Sequence, residues 1–365
     1  MTFRTFSGLL PLLLVPVSLA AGFVPDISPV WVFVLGAAAT AVLADWVRRA
    51  TEQLADRTGS AVGGLLNVSF GSVAELVLAL FVLAGGHAAV VQAQVTGSII
   101  GTGLLGLGLA MLVGGIRRDR QRFNRDSIGL LSTLLILVLI ALLLPAIFDL
   151  AQRKASPGLD PALADEKLSL GTAIVLLGLY GANLAYTLVT HRDMFGGGEE
   201  DDPGHDRAAW SLGRALGVLI GGTALVAVEA ELVSGALEAT AGSLGLSSTF
   251  LGIVVLALVG TAADLFAAVV FARQNRMSIV FSICIGSAIQ MAMVVAPLLV
   301  LASWALGHPM NLVFGDPLDL LAIGATAFVI RAISADGETT WFEGLLLIGL
   351  YVLLALAFLF LPHSP

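Results

Sequence analysis

Two short stretches of the chain repeat one another inside apolar surroundings, and each carries a carboxylate. The first runs Gly71-Ser72-Val73-Ala74-Glu75-Leu76 and is followed by Thr96-Gly97-Ser98-Ile99-Ile100-Gly101. The second runs Gly260-Thr261-Ala262-Ala263-Asp264-Leu265 and is followed by Ile285-Gly286-Ser287-Ala288-Ile289-Gln290. Matched positions share one offset, since 264 − 75, 286 − 97 and 287 − 98 each give 189. A charge at the centre of an apolar span costs about 2.5–3.5 kcal/mol on insertion scales, so an ionisable residue kept there marks a functional site. Two at equivalent places in two halves point to a transporter site at a repeat interface.

The surroundings are apolar enough for that argument to hold. Of 365 residues, 58% are apolar and 12% charged, and mean hydropathy is +0.96; soluble domains lie nearer 45–50% and about 25%. Eleven apolar segments can be drawn, at roughly 8–24, 28–44, 61–84, 89–115, 127–149, 169–190, 212–236, 247–272, 277–306, 317–334 and 341–361. Backbone polar groups in lipid must be satisfied within the segment, so each is read as a helix. The expected fold is an all-α membrane protein of eleven transmembrane helices. The first segment, with Arg4 ahead of it and Ser18-Leu19-Ala20-Ala21 at its end, also fits a cleavable signal peptide. Its near-continuity with the second segment favours a retained helix.

The formal charge of −8 comes partly from one acidic loop and gives no sign of a nucleic-acid partner. Cys284 is the single cysteine and cannot form an intramolecular disulfide. No nucleophile–base or paired-aspartate protease motif marks an enzyme, and no resident cofactor is expected.

Basic residues orient the chain. Fifteen of the 18 fall on the N-terminal side, and only Arg153, Lys154 and Lys167 fall opposite. The positive-inside rule then places the N-terminus in the cytoplasm, and the expected location is a bacterial-type plasma membrane. The two motifs lie on segments three and four and on segments eight and nine. Five crossings separate them, which inverts the second copy and gives a 1 + 5 + 5 plan. Asp45 and Glu52, and likewise Glu231 and Glu238, are spaced by seven, with an offset of 186. The chain divides into an N-terminal helix at 1–27, a first five-helix repeat at 28–190, an acidic cytoplasmic linker at 191–211 and a second five-helix repeat at 212–365. The linker holds Gly196-Gly197-Gly198-Glu199-Glu200-Asp201-Asp202-Pro203-Gly204, which reads as a solvated join or as a weak cation patch without EF-hand spacing.

The motif residues define a chemistry. Ser72 and Glu75 are three apart and share a helix face, as do Thr261 and Asp264. Gly71 and Gly260 permit close packing or a local helix break. Ser98, Ser287 and Gln290 add oxygen donors. The expected metal ligands are therefore Glu75, Asp264, Ser72, Thr261, Ser98, Ser287 and Gln290. Two carboxylates with neutral oxygens, and no nitrogen or thiolate, suit a hard divalent cation, calcium or manganese. Two neighbouring carboxylates at low dielectric need either a cation or protons to balance them, so metal and protons compete for the same oxygens. Glu75 and Asp264 are the expected proton carriers, with Glu231 as an entry group. Glu229 is read as lying near a helix end, and His87 as a loop residue. The ligands are thus a divalent cation, protons and the lipid bilayer, with a homo-oligomer left open.

At Ala50-Thr51-Glu52-Gln53-Leu54-Ala55, Gly63-Gly64-Leu65-Leu66-Asn67, Ala74-Glu75-Leu76, Thr96-Gly97-Ser98-Ile99-Ile100-Gly101, Gly286-Ser287-Ala288-Ile289-Gln290 and Ala296-Pro297, the chain resembles the calcium/proton exchanger (CAX) family of the calcium/cation antiporter superfamily. The likeness runs over about 28–361. It implies eleven helices, an acidic cytoplasmic join and exchange of cytosolic calcium for external protons, with Glu75 and Asp264 at the family's two ion-binding acidic positions. The family reads Gly-Asn-Ala-x-Glu in both repeats. Here Ser72 and Thr261 replace the Asn, Asp264 replaces the second Glu, Leu265 stands where a His commonly follows, and Thr102 replaces another Asn. A cation/proton antiporter for calcium is the leading reading. Manganese or another divalent cation on the same fold, or a passive cation channel, are the alternatives.

Overall fold

A computed structural model describes residues 10–24, 27–155, 162–186, 210–307, 309–314 and 316–361, without the side chains of 58–70. The acidic linker lies outside the described residues, apart from Trp210 and Ser211. Eleven helices make up the described chain. They are α1 (Leu14–Phe23), α2 (Pro29–Phe70), α3 (Val73–Ala84), α4 (Ala88–Gly115), α5 (Arg125–Ala155), α6 (Ala162–Ala185), α7 (Leu212–Leu244), α8 (Ser248–Arg273), α9 (Met277–Leu306), α10 (Pro317–Ile333) and α11 (Trp341–Leu359). Eight are long and apolar enough to cross a membrane, and α1 and α3 are shorter apolar helices.

One boundary differs from expectation. Segments two and three were read as separate, at 28–44 and 61–84, yet helical structure continues through Pro29–Phe70 and stops at Gly71-Ser72. The break falls on the motif itself. The charged, poorly apolar stretch at 45–60 reads as a loop by hydropathy, but its residues are good helix formers and keep the backbone ladder.

The site is carried by the central helices. In the most apolar window of α4, 78% of residues are buried, and in α9 67%, against 28% in α7 and 22% in α6. The peripheral helices turn large apolar side chains outward, among them Leu137, Ile140, Ile220 and Phe328. Such a surface fits a lipid neighbour and not water. Small residues let the inner helices touch: a Cβ on Gly108 would lie 2.9 Å from the Gly344 carbonyl, and one on Gly222 2.8 Å from Val47.

The loops define two faces. On one, β1 (Gln121–Arg122) pairs antiparallel with β2 (Glu338–Thr339), and Arg118 donates to the Arg273 carbonyl at 3.2 Å. This face is rich in arginine. On the other, His87, Glu238 and Asp316 lie near the helix ends.

Candidate ion-binding site

The break at Gly71-Ser72 creates the first half of the site. The Ser72 carbonyl accepts the Leu76 amide at 2.9 Å, which starts α3. Glu75 therefore falls in the first turn of a helix. There the amide dipoles favour a negative charge, by about 0.3–1 kcal/mol in exposed cases and up to about 2 kcal/mol when partly buried. Its side chain is 3% exposed. Ser98, on α4, donates its hydroxyl to Glu75 Oε1. On the opposite side α8 presents Gly260, where a Cβ would stand 3.0 Å from Glu75 Cγ and 3.3 Å from Oε1. A methyl group there would press on the Glu75 side chain, so glycine keeps the carboxylate's room open.

The second half is built differently. Asp264 lies within α8, which continues unbroken past Gly260, and it is only partly buried. Ser287, on α9, approaches its carboxylate. Both acids are thus met by a serine 23 positions further along the chain. They are close enough for the charge of Asp264 to act on Glu75. The charge of Arg48, on α2, reaches Asp264 as well. That guanidinium lies 3.2 Å from Asp45 Oδ1 and also hydrogen-bonds Glu52; its Nε is buried with no partner among the described residues.

Neutral oxygens complete the surroundings. Ser72 donates to Gln290 Oε1 at 3.0 Å, joining the α2–α3 break to α9. Thr261 is buried, and its hydroxyl donates to the Ala257 carbonyl at 2.8 Å, so its proton stays within its own helix while its lone pairs remain available. Thr102 likewise donates to the Ser98 carbonyl at 2.8 Å. Directly after Ile100 and Gln290, α4 and α9 each pass into a π-helical stretch, Gly101–Gly106 and Met291–Val295. Such bulges are frequent at functional sites.

Glu75, Asp264, Ser98 and Ser287 come together, with Ser72 and Gln290 bonded to each other beside them and Thr261 one turn from Asp264. Glu231 does not join them. It is exposed on α7, and neither carboxylate has it among its interacting groups. The physical reason is helical phase: two positions apart is about 200°, so Glu229 and Glu231 face opposite ways. Glu229 is the buried one, 0% exposed in the interior of α7, accepting from Ser18 at 2.7 Å. It was read as near a helix end, which the length of α7 corrects. Arg48 is one of the fifteen basic residues assigned to the N-terminal side, with no expected role at the site. An arginine three residues from one acid and four from another is the signal that could have placed it inside a helix.

No group of three or more His, Cys, Asp and Glu side chains capable of holding a metal occurs among the described residues. A cation here would take two carboxylates, with hydroxyl, amide, backbone or water oxygens filling its shell. That set fits a hard ion carried as cargo.

The sodium/calcium exchanger protein family model matches residues 28–189 and 214–360. The chain belongs to that family, on its calcium/proton exchanger branch. It is 37% identical to a Ca(2+)/H(+) antiporter of Aphanothece halophytica over 99% of this chain and 97% of that protein. It is also 37% identical to the Ca(2+)/H(+) antiporter ChaA of Bacillus subtilis (strain 168), over 87% and 89%. Among solved structures, the Ca2+/H+ antiporter protein YfkE superposes with a TM-score of 0.82 at 32% identity, covering 97% of this chain and 99% of that one. A structure of the H+/Ca2+ exchanger CAX superposes at 0.71 with 16% identity, a likeness of fold.

Proposed function

We propose that this chain exchanges a divalent cation, calcium foremost, for protons across a membrane by alternating access. The observation that carries the reading is the pair Glu75–Ser98 and Asp264–Ser287, drawn from two motifs with one offset and near enough for the charge of Asp264 to act on Glu75, where Gly260 clears space for Glu75. A bound divalent ion balances both carboxylates; in its absence protons do so, and an empty charged site is costly to move through a low-dielectric interior. The names and full-length similarity of the relatives support calcium as cargo. The repeated offset supports an inverted 1 + 5 + 5 plan, and the arginine-rich face supports a cytoplasmic N-terminus. On this plan residues 28–190 and 212–365 are the two repeats, joined by the acidic linker.

A second reading, manganese on the same scaffold, is favoured by one observation. The hydroxyls of Ser72 and Thr261 stand where the family carries amides, and both donate to protein carbonyl oxygens. A site with fewer strong oxygen donors suits a smaller ion than calcium, which takes 6–8 oxygens.

Proteoliposomes with an imposed proton gradient test both. Calcium should accumulate against its own gradient and stop when the proton gradient is collapsed. Accumulation of manganese alone would replace calcium by manganese. Downhill flux unaffected by the proton gradient would instead mean a channel.

A further inference from the structure

Four positions of α4 turn toward the helices that carry the two carboxylates. Ser98 donates to Glu75 on α3. Gly97 and Gly101 bring the backbone against α8, where a Cβ on Gly97 would come within 2.6 Å of Ala257 Cβ and one on Gly101 within 3.9 Å of Thr261 Oγ1. At about 100° per residue, Gly97 and Gly101 lie about 100° and about 60° to one side of Ser98. Gln94 lies about 40° to the same side, between the direction of Glu75 and the direction of Thr261. It sits one turn from Ser98, about 6 Å along the axis, toward the end of α4 that starts beside His87. Side chains on a helix lean toward its N-terminus, so the Ser98 hydroxyl reaches back over the turn that carries Gln94.

Gln94 is 1% exposed, and neither its amide nitrogen nor its amide oxygen has a hydrogen-bond partner among the described residues. Other amides nearby are engaged. Gln92, two positions away, donates to the Asn311 carbonyl at 2.8 Å and to Asn311 Oδ1 at 2.9 Å. Gln290 Oε1 accepts from Ser72 at 3.0 Å. A buried amide left unmet at both ends is costly, and leucine would fill much the same volume without that cost. Gln94 therefore does not hold the fold by hydrogen bonding. Its oxygen is an acceptor kept free on the face of α4 that meets the site. Hard cations take carboxylate and neutral amide oxygens together, and calcium needs 6–8 oxygens in all.

We propose that Gln94 is a further ligand of the cation, its amide oxygen meeting the ion one turn from Ser98 on the side of the His87 loop. Gln94 and Ser98 then form a two-step ladder of oxygens along one face of α4. The staggered torsions of a glutamine side chain let the amide follow an ion between those steps. The place of this ladder on the transport route rests on the exchange reading; the metal binding itself does not.

The test is Gln94→Leu, which removes the amide and keeps the bulk. Without metal this variant should melt at or above the wild-type temperature, because an unmet buried amide gives way to an apolar group. In proteoliposomes its half-saturating calcium for proton-driven uptake should nonetheless rise about tenfold, the lower end of what losing a supporting group costs a metal site. Gln94→Glu keeps an oxygen at the same length and should bring that value back to wild type or below. Wild-type calcium dependence in Gln94→Leu overturns the proposal. So does a melting temperature several degrees lower, which would show the amide holding the fold. A Gln94→Glu variant as impaired as Gln94→Leu overturns it too, since shape and not oxygen would then matter. If wild-type protein shows no proton-driven uptake, the exchange reading fails and the ligand is tested by metal alone: calcium should raise the melting temperature of wild type more than that of Gln94→Leu, and equal shifts overturn the assignment.

Discussion

Glu75 and Asp264 occupy equivalent places in two copies of one motif, yet each carboxylate is held by different means. Glu75 sits at a helix start made by the break at Gly71-Ser72, deeply buried and bonded to Ser98. Asp264 sits within an unbroken helix, partly exposed, and shares its field with Arg48. The serine partners also differ in their neighbours. Gly97, beside Ser98, is jammed against the α8 backbone, whereas a Cβ on Gly286, beside Ser287, meets no described atom within 4 Å. The first copy therefore draws on helix-end dipoles and close packing, the second on a less buried setting within reach of the Arg48 charge. One motif can give a rigid acid and an adaptable one when its two surroundings differ.

The hardest test of that contrast is to remove each charge. Glu75→Gln and Asp264→Asn should each cut proton-driven uptake at least about 100-fold, since unbalancing a buried charge pair costs about 3–5 kcal/mol and 1.4 kcal/mol is a factor of ten. Wild-type-like uptake in either folded variant would end the site assignment. Packing gives the next effect. Gly97→Ala should destabilise by about 1–3 kcal/mol through overpacking, read as a Tm several degrees lower, while Gly286→Ala should stay within about 0.5 kcal/mol. Equal losses from both would erase the proposed asymmetry. Serine removal sharpens it further. A hydrogen bond to a charged group contributes about 1.5–3 kcal/mol, so Ser98→Ala should raise the half-saturating cation concentration about tenfold or more. Ser287→Ala should raise it only a few-fold, because Asp264 keeps access to water; the reverse ranking would invert the contrast.

The smallest effect belongs to an acid outside the membrane. Glu338 lies in the α10–α11 loop, 2.7 Å from Arg120 and 3.0 Å from Arg122. The Arg120 hydrogen bond, with the charges of both arginines, holds its carboxyl below its ordinary value of 4.5. Any stabilisation it gives is present above that pH and fades as pH falls through the lowered value. Glu338→Gln should therefore lower stability slightly at neutral pH and converge with wild type in acid. A constant difference across pH would show that charge plays no part.

Much of this was legible in advance because helices in lipid are written in long apolar runs. The eleven segments match eleven described helices in number, and the serine contacts of Glu75 and Asp264 follow from repeated spacing. Glu231 is turned outward, and a spacing of seven names a helix face without saying which way the helix turns it. Glu229, two positions away, took the buried side. The loop expected between segments two and three failed because hydropathy measures burial in lipid, whereas the α2 backbone at 45–57 is held by helix propensity and by Asp45, Arg48, Arg49 and Glu52 pairing along it.

The sequence by itself determined that two carboxylates with hydroxyl companions lie in apolar helices at equivalent points of two copies. Composition and periodicity are local properties, and a constant offset survives any folding. Only the tertiary structure decided which copy breaks its helix, that the charge of Arg48 reaches Asp264, and that the α4 and α8 backbones meet at Gly97 and Gly252. Those outcomes depend on which helices touch and in what rotation. Contact of that kind is set by packing between segments far apart in the chain, which no single segment encodes.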